Sequence, residues 1–211
     1  MIFDLDGVLV STDEFHYLGW KQLCDEEGIP FDRTLNHRLR GVSRMESLAI
    51  ILESAGKSPS DEQRKAYAER KNRTYRSLLE RLDPSALLPG ALEMLRKLRG
   101  AGVKTAIGSS SKNAGLIVEK VGIRDLIDAV VDGNDITESK PSPEVFLKAA
   151  QALGLRPEEC LVVEDAEAGV VAGLRAEMRV LGIGESKRLP GAHRVVADLG
   201  ALSLDELLGI R

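Results

Sequence analysis

The chain opens a β/α pattern, abandons it after one strand, and takes it up again about 70 residues later. Met1-Ile2-Phe3 reads as the end of a short buried strand, stopped by Asp4-Leu5-Asp6-Gly7, where the glycine permits a sharp turn. From Asp13 to Asp83 the spacing is helical almost throughout: Phe15, Leu18 and Leu23 keep helix period, and 66–82 is a long charged helix without Gly or Pro. After Pro84 the alternation returns, predicting helices at 91–98, 112–121, 143–153 and 166–174 and strands at 103–107, 129–131, 161–163 and 179–181. The tail from Gly182 is less regular, with a strand at Val195-Val196 and a closing helix at 203–208.

An α/β fold follows, a doubly wound, Rossmann-like parallel-sheet core into which an all-helical cap domain is inserted. The expected boundaries are 1–12 and 84–211 for the core and 13–83 for the cap. Two linkers at one place form a natural hinge. Charge separates the two parts: residues 13–84 hold 13 basic and 13 acidic side chains, so the net charge of −4 lies wholly in the core.

That negative field does not collect nucleic acid or anionic membrane, and at 4% aromatic residues there is little to stack on bases. An anionic substrate must be drawn by local charges. No apolar run approaches the roughly 18 residues of a membrane span, and Asp4 and Asp6 interrupt the stretch where a signal peptide would need apolar residues. Cys24 and Cys160 have no paired spacing and read as buried thiols in a reducing compartment. A cytoplasmic monomer acting on a small molecule is the expectation.

Ligands of open α/β sheets bind beyond the carboxyl ends of the strands, so the residues after each apolar run belong together. These are Asp4 and Asp6, then Ser109-Ser110-Ser111-Lys112-Asn113, then Lys140, then Glu164-Asp165. Asp4, Asp6 and Asp165 would repel one another without a cation between them, and an oxygen-rich site suits Mg²⁺. With the metal on one Asp4 oxygen, the other is a nucleophile and Asp6 a general acid and base. A phosphoryl group is the matching electrophile, with Ser109 and Lys140 supplying hydrogen bonds and charge.

Asp4-Leu5-Asp6-Gly7-Val8, Ser109, Lys140 and Glu164-Asp165 resemble, in order, the four motifs of the haloacid dehalogenase superfamily of phosphotransferases. The resemblance covers the whole chain. It implies a phospho-aspartyl intermediate at Asp4, acid–base work by Asp6, and Mg²⁺ held by Asp4, the Asp6 main-chain carbonyl and Asp165, with Glu164 in or just behind that shell.

Within the insertion, Thr12, His16 and Trp20 recur every four residues on one helical face. Ser43 and Glu46 have capping-box spacing, so free N–H groups and Arg44 share one helix start, a seat for phosphate. The Thr-x₃-His-x₃-Trp spacing, the segment Gly41-Val42-Ser43-Arg44 with Ser47-Leu48, and Arg70-Lys71-Asn72, Ser111-Lys112-Asn113 and Ser139-Lys140-Pro141 are similar to the hexose-phosphate mutase branch of the superfamily. That branch implies conversion of β-D-glucose 1-phosphate to glucose 6-phosphate through the 1,6-bisphosphate. It also implies catalytic roles for Thr12 and His16 and substrate contacts from Gly41, Val42, Ser43, Arg44, Ser47, Lys71, Ser110, Ser111, Lys112 and Asn113.

Three positions depart from it: Ala166, where a serine occurs in some relatives, Glu167, and Arg40, where lysine occurs. Read by pattern alone, Lys71 sits in a solvated charge run, and Trp20 and Cys24 are core. A small-metabolite phosphatase shares all four core motifs, and a phospho-aspartate signalling module shares the Asp, Ser and Lys. The second aspartate and the large insertion argue against the signalling module.

Overall fold

A computed structural model describes residues 1–39 and 41–210. Arg40, one of the departures above, lies outside the described residues. Six short parallel strands form one sheet: β1 (Ile2–Phe3), β2 (Ala106–Gly108), β3 (Ala129–Val131), β4 (Leu161–Glu164), β5 (Arg179–Ile183) and β6 (Arg194–Val196), in the order β3-β2-β1-β4-β5-β6. β1 is central, in register with Ala106-Ile107 on one side and Val162-Val163 on the other. The chain order reverses direction beside it, which opens a crevice at the carboxyl ends of β1, β2 and β4. The Asp4 amide still donates to the Val163 carbonyl (2.9 Å), so the ladder fixes the backbone of Asp4 itself.

Buried on both faces, the four inner strands carry almost continuous apolar residues, as parallel sheets require. One face packs Met94, Leu95 and Leu98 of helix α5 (Ala91–Gly100) and Ile117 of α6 (Ala114–Lys120). The other packs Val145, Phe146 and Ala149 of α7 (Glu144–Leu153) and Val170 of α8 (Glu167–Arg175). A short helix α9 (Leu204–Leu208) closes the chain.

Between β1 and α5 stand four helices, numbered in the same chain order: α1 (Asp13–Glu26), α2 (Arg33–His37), α3 (Arg44–Ser54) and α4 (Asp61–Leu79). No strand occurs there among the described residues. They have their own apolar cluster, built from Trp20, Leu23, Cys24, Leu48, Ile51, Leu52 and Ala68.

Most elements start within two residues of the predicted positions, and two start further away. α4 begins five residues earlier, because Ser60 and Gln63 form a capping box before the charged run. β2 begins at Ala106 rather than Val103, since its ladder starts only where Ala106 meets Ile2. Both cysteines are buried free thiols, and among the described residues no helix is long and apolar enough to cross a membrane.

Candidate active site

Three carboxylates and a lysine meet beyond β1 and β4. Lys140 Nζ donates to Asp4 Oδ1 and Glu164 Oε1, both at 2.6 Å, over the Phe146 ring. The remaining Glu164 oxygen accepts from the Ala166 amide (2.7 Å). Burial alone would strip the charge from Lys140, but the Asp4 and Glu164 carboxylates outweigh it and hold its pKa above the ordinary lysine value. Burial pushes the Glu164 carboxyl up against the opposing pull of Lys140. Close backbone approach makes the cluster possible: a Cβ on Gly169 would stand 1.8 Å from Glu164 Oε1, and one on Gly7 2.1 Å from Asp165 Oδ2.

Asp4, Glu164 and Asp165 each present an oxygen within 4.8 Å of the others. One lysine among three acids leaves an excess of negative oxygen ligands, a donor set that fits a hard divalent cation such as Mg²⁺. The Asp6 side chain stands outside this set, turned toward the helical insertion.

There Asp6 Oδ1 accepts from both the backbone amide (3.2 Å) and the hydroxyl of Thr12, the residue on which α1 begins. Desolvation pushes the Asp6 carboxyl up to about 7, aided by the charges of Asp4 and Asp13 and opposed by the Thr12 hydrogen bonds. His16 Nε2 stands 3.9 Å from Asp6 Oδ2. On its other side, His16 Nδ1 meets Lys71 Nζ at 3.0 Å, and its ring lies 4.2 Å from that of Tyr75. Burial, then the charges of Lys71 and Arg44, drive the His16 pKa well below its usual value, so the imidazole is neutral and Nδ1 accepts from the ammonium when Lys71 is charged.

A cavity of about 470 Å³ separates the sheet edge from the helices. Asp4, Asp6, Ser109, Ser110, Ser111, Lys112, Asn113 and Asp165 line it from the core; His16, Gly41, Val42, Ser43, Arg44, Ser47 and Lys71 line it from the helices. Ser109 and Ser111 accept from the amides of Ser111 and Asn113 (3.2 Å each), which shapes the turn before α6. The two sides touch: Asn113 donates to Asn72 (3.0 Å), and a Cβ on Gly41 would come within 2.8 Å of that of Ala166. Ser43 and Glu46 form the predicted capping box, with Arg44 the first residue of α3.

Thr12, Lys140 and Glu164 do not line the cavity; they are buried behind Asp6 and Asp4. Lys71 lines the cavity as the resemblance implies, but the reading of it by pattern as solvated is corrected. It is 2% exposed, not solvated, with Nζ 5.0 Å from the Trp20 ring centre and 4.4 Å from that of Tyr75. Trp20 is both core and cavity wall. Pattern reasoning missed Tyr75, whose hydroxyl meets Thr12 Oγ1 at 3.0 Å; its place four residues beyond Lys71 on α4 was the available signal.

The model of the haloacid dehalogenase-like hydrolase family matches residues 1–177. The chain belongs to that family. As a haloacid dehalogenase-like protein it is an enzyme, one whose site is built for phosphoryl transfer. It is 40% identical to a β-phosphoglucomutase of Bacillus subtilis over 98% of this chain and 92% of that one. It superposes on the crystal structure of a β-phosphoglucomutase from Clostridium difficile with a TM-score of 0.94 at 38% identity, covering 98% of this chain and 93% of the other. A fructose-1-phosphate phosphatase of Escherichia coli is 30% identical over 87% of this chain and 95% of its own.

Proposed function

We propose that the enzyme interconverts β-D-glucose 1-phosphate and glucose 6-phosphate through β-glucose 1,6-bisphosphate and a phospho-aspartyl intermediate at Asp4. The reading treats residues 1–12 and 84–211 as the catalytic core and 13–83 as a cap over it. The observation that carries it is the two-sided cavity: Asp4 and Asp6 face it from the core, and Arg44 with the α3 start faces it from the helices. A sugar with two phosphates has one seat to react in and one to be held in.

Asp4, Glu164 and Asp165 are the side chains that would hold Mg²⁺, which when bound neutralises the carboxylates and draws charge from the phosphoryl oxygens. The chain's own groups do the rest. An Asp4 oxygen attacks phosphorus as the bond to the sugar oxygen breaks, and Asp6, with its carboxyl raised to about 7, delivers a proton to that oxygen. In the return half-reaction Asp6 takes the proton from the hydroxyl of the other sugar position, and that oxygen attacks phospho-Asp4. Lys140 keeps Asp4 oriented, Ser109 offers a hydroxyl at the cavity wall, and Arg44 supplies a forked cation for the second phosphate. Thr12 at the core–cap junction and His16 from the cap hold Asp6, and the cap keeps water from the acyl phosphate. The reading takes the enzyme as a cytoplasmic monomer, and the buried free thiols fit that compartment.

The test supplies Mg²⁺, β-glucose 1-phosphate and a trace of the bisphosphate and follows both products. Glucose 6-phosphate forms faster than free phosphate. The reverse ratio would replace this reading with a sugar-phosphate phosphatase, the activity named for the 30% identical relative.

A further inference from the structure

We propose that Ser139 and Glu46 form a closure latch, a hydrogen bond that joins the core loop carrying Lys140 to the capping box of α3. Glu46 Oε2 takes three donors: the Ser43 amide (2.9 Å), the Ser43 hydroxyl (2.6 Å) and the Ser139 hydroxyl (2.6 Å). The first two complete the helix start and need nothing from the core. The third arrives from a residue 93 positions away and exists only while the helices rest on the sheet edge. Burial pushes the Glu46 carboxyl up, but the hydrogen bonds from Ser139 and Ser43 outweigh it and hold it below its usual range, so the acceptor is ionised and the bond charge-assisted.

The placement gives the bond its consequence. Ser139 precedes Lys140, which holds the nucleophile Asp4, and Glu46 lies two residues beyond Arg44. One hydrogen bond therefore ties the lysine of the reacting end to the helix start that would seat the second phosphate. Glu46 is exposed and borders an open groove with Thr137, Pro141 and Arg175, so water can replace the bond at little cost. A lid that opens every turnover needs such a contact, strong enough to bias closure and weak enough to release product.

The effect on product choice rests on the mutase reading; closure itself does not. Ser139→Ala removes the donor and leaves the capping box intact. Glu46→Gln keeps a capping residue and loses only the charge. Trp20, the sole tryptophan, lines the cavity while buried, so acrylamide quenching of its fluorescence reports opening. In Ser139→Ala, quenching rises, KM for β-glucose 1-phosphate rises about three- to tenfold, and the ratio of glucose 6-phosphate formed to phosphate released falls by a similar factor. Hydrolysis of acetyl phosphate, too small to span the cavity, keeps its kcat; Glu46→Gln moves the same readouts less, and Ser139→Thr restores them. Unchanged quenching and KM in both Ser139→Ala and Glu46→Gln overturn the latch. Increased quenching in a protein whose wild type makes no glucose 6-phosphate upholds the latch and overturns the mutase reading.

Discussion

Two lysines are buried at this site to almost the same degree, Lys140 at 1% and Lys71 at 2% exposure, and their environments drive them in opposite directions. Lys140 touches two carboxylates and is held firmly protonated. Lys71 sits between a neutral imidazole and two aromatic faces, and among the described residues no carboxylate bonds to it. Burial, with the charge of Arg44 adding, brings its pKa down to about 7 against only a distant pull from Asp6. Burial does not decide the charge of a lysine; its partners do. The core lysine is a firmly protonated cation, and the lysine on α4 is driven toward its neutral form.

Breaking the core arrangement has the larger consequence. Asp4→Asn removes the proposed nucleophile and one of the two anions on Lys140; both isomerisation and phosphate release fall by at least about a thousandfold, measured on the same preparation. Full residual activity would mean the nucleophile is misassigned. Lys140→Met strands two buried carboxylates, and urea unfolding shows a loss of about 3–5 kcal/mol at neutral pH.

The cap lysine behaves otherwise. Lys71→Met leaves no buried anion uncompensated and removes the cost of stripping a proton from a buried amine, so stability at pH 7 rises rather than falls while KM for the sugar phosphate rises. The pH dependence sharpens the contrast. Between about 7 and the ordinary 10.5, the unfolded chain keeps a proton on Lys71 that the folded chain has lost, so this residue makes stability rise with pH. The slope is at most about 1.4 kcal/mol per pH unit, and it disappears in Lys71→Met; denaturant midpoints at pH 7 through 10 measure it. The smallest effect is that of Tyr75→Phe, which removes the hydroxyl next to Thr12 and costs about 1 kcal/mol in thermal unfolding with a modest fall in kcat.

The core half of the site was legible because a parallel sheet puts its chemistry at strand ends: an apolar run followed by Asp4, Ser109 or Glu164 is a local signal in one dimension. The capping box at Ser43 was legible for the same reason, since its two members are three residues apart. The inner face of α4 was hidden by composition. α4 carries so many charges around its circumference that no apolar stripe marks Ala68, Lys71 and Tyr75 as its inner face. Only packing against α1 selects them. Contacts such as Glu46 with Ser139, made between segments far apart in sequence, leave no local trace at all.

One detail of α1 reaches further. Thr12 occupies the N-cap of that helix, yet its hydroxyl caps no amide of the helix; it is committed to Asp6 and Tyr75. The residue at which the core passes into the helices is thus an integral part of the environment that sets the proton affinity of Asp6. Linkage then works in both directions: to whatever degree closure alters the hold of Asp6 on its proton, the presence of that proton alters closure by the same factor. On the proposed mechanism, the step in which Asp6 gives its proton away is coupled to cap closure by that same factor.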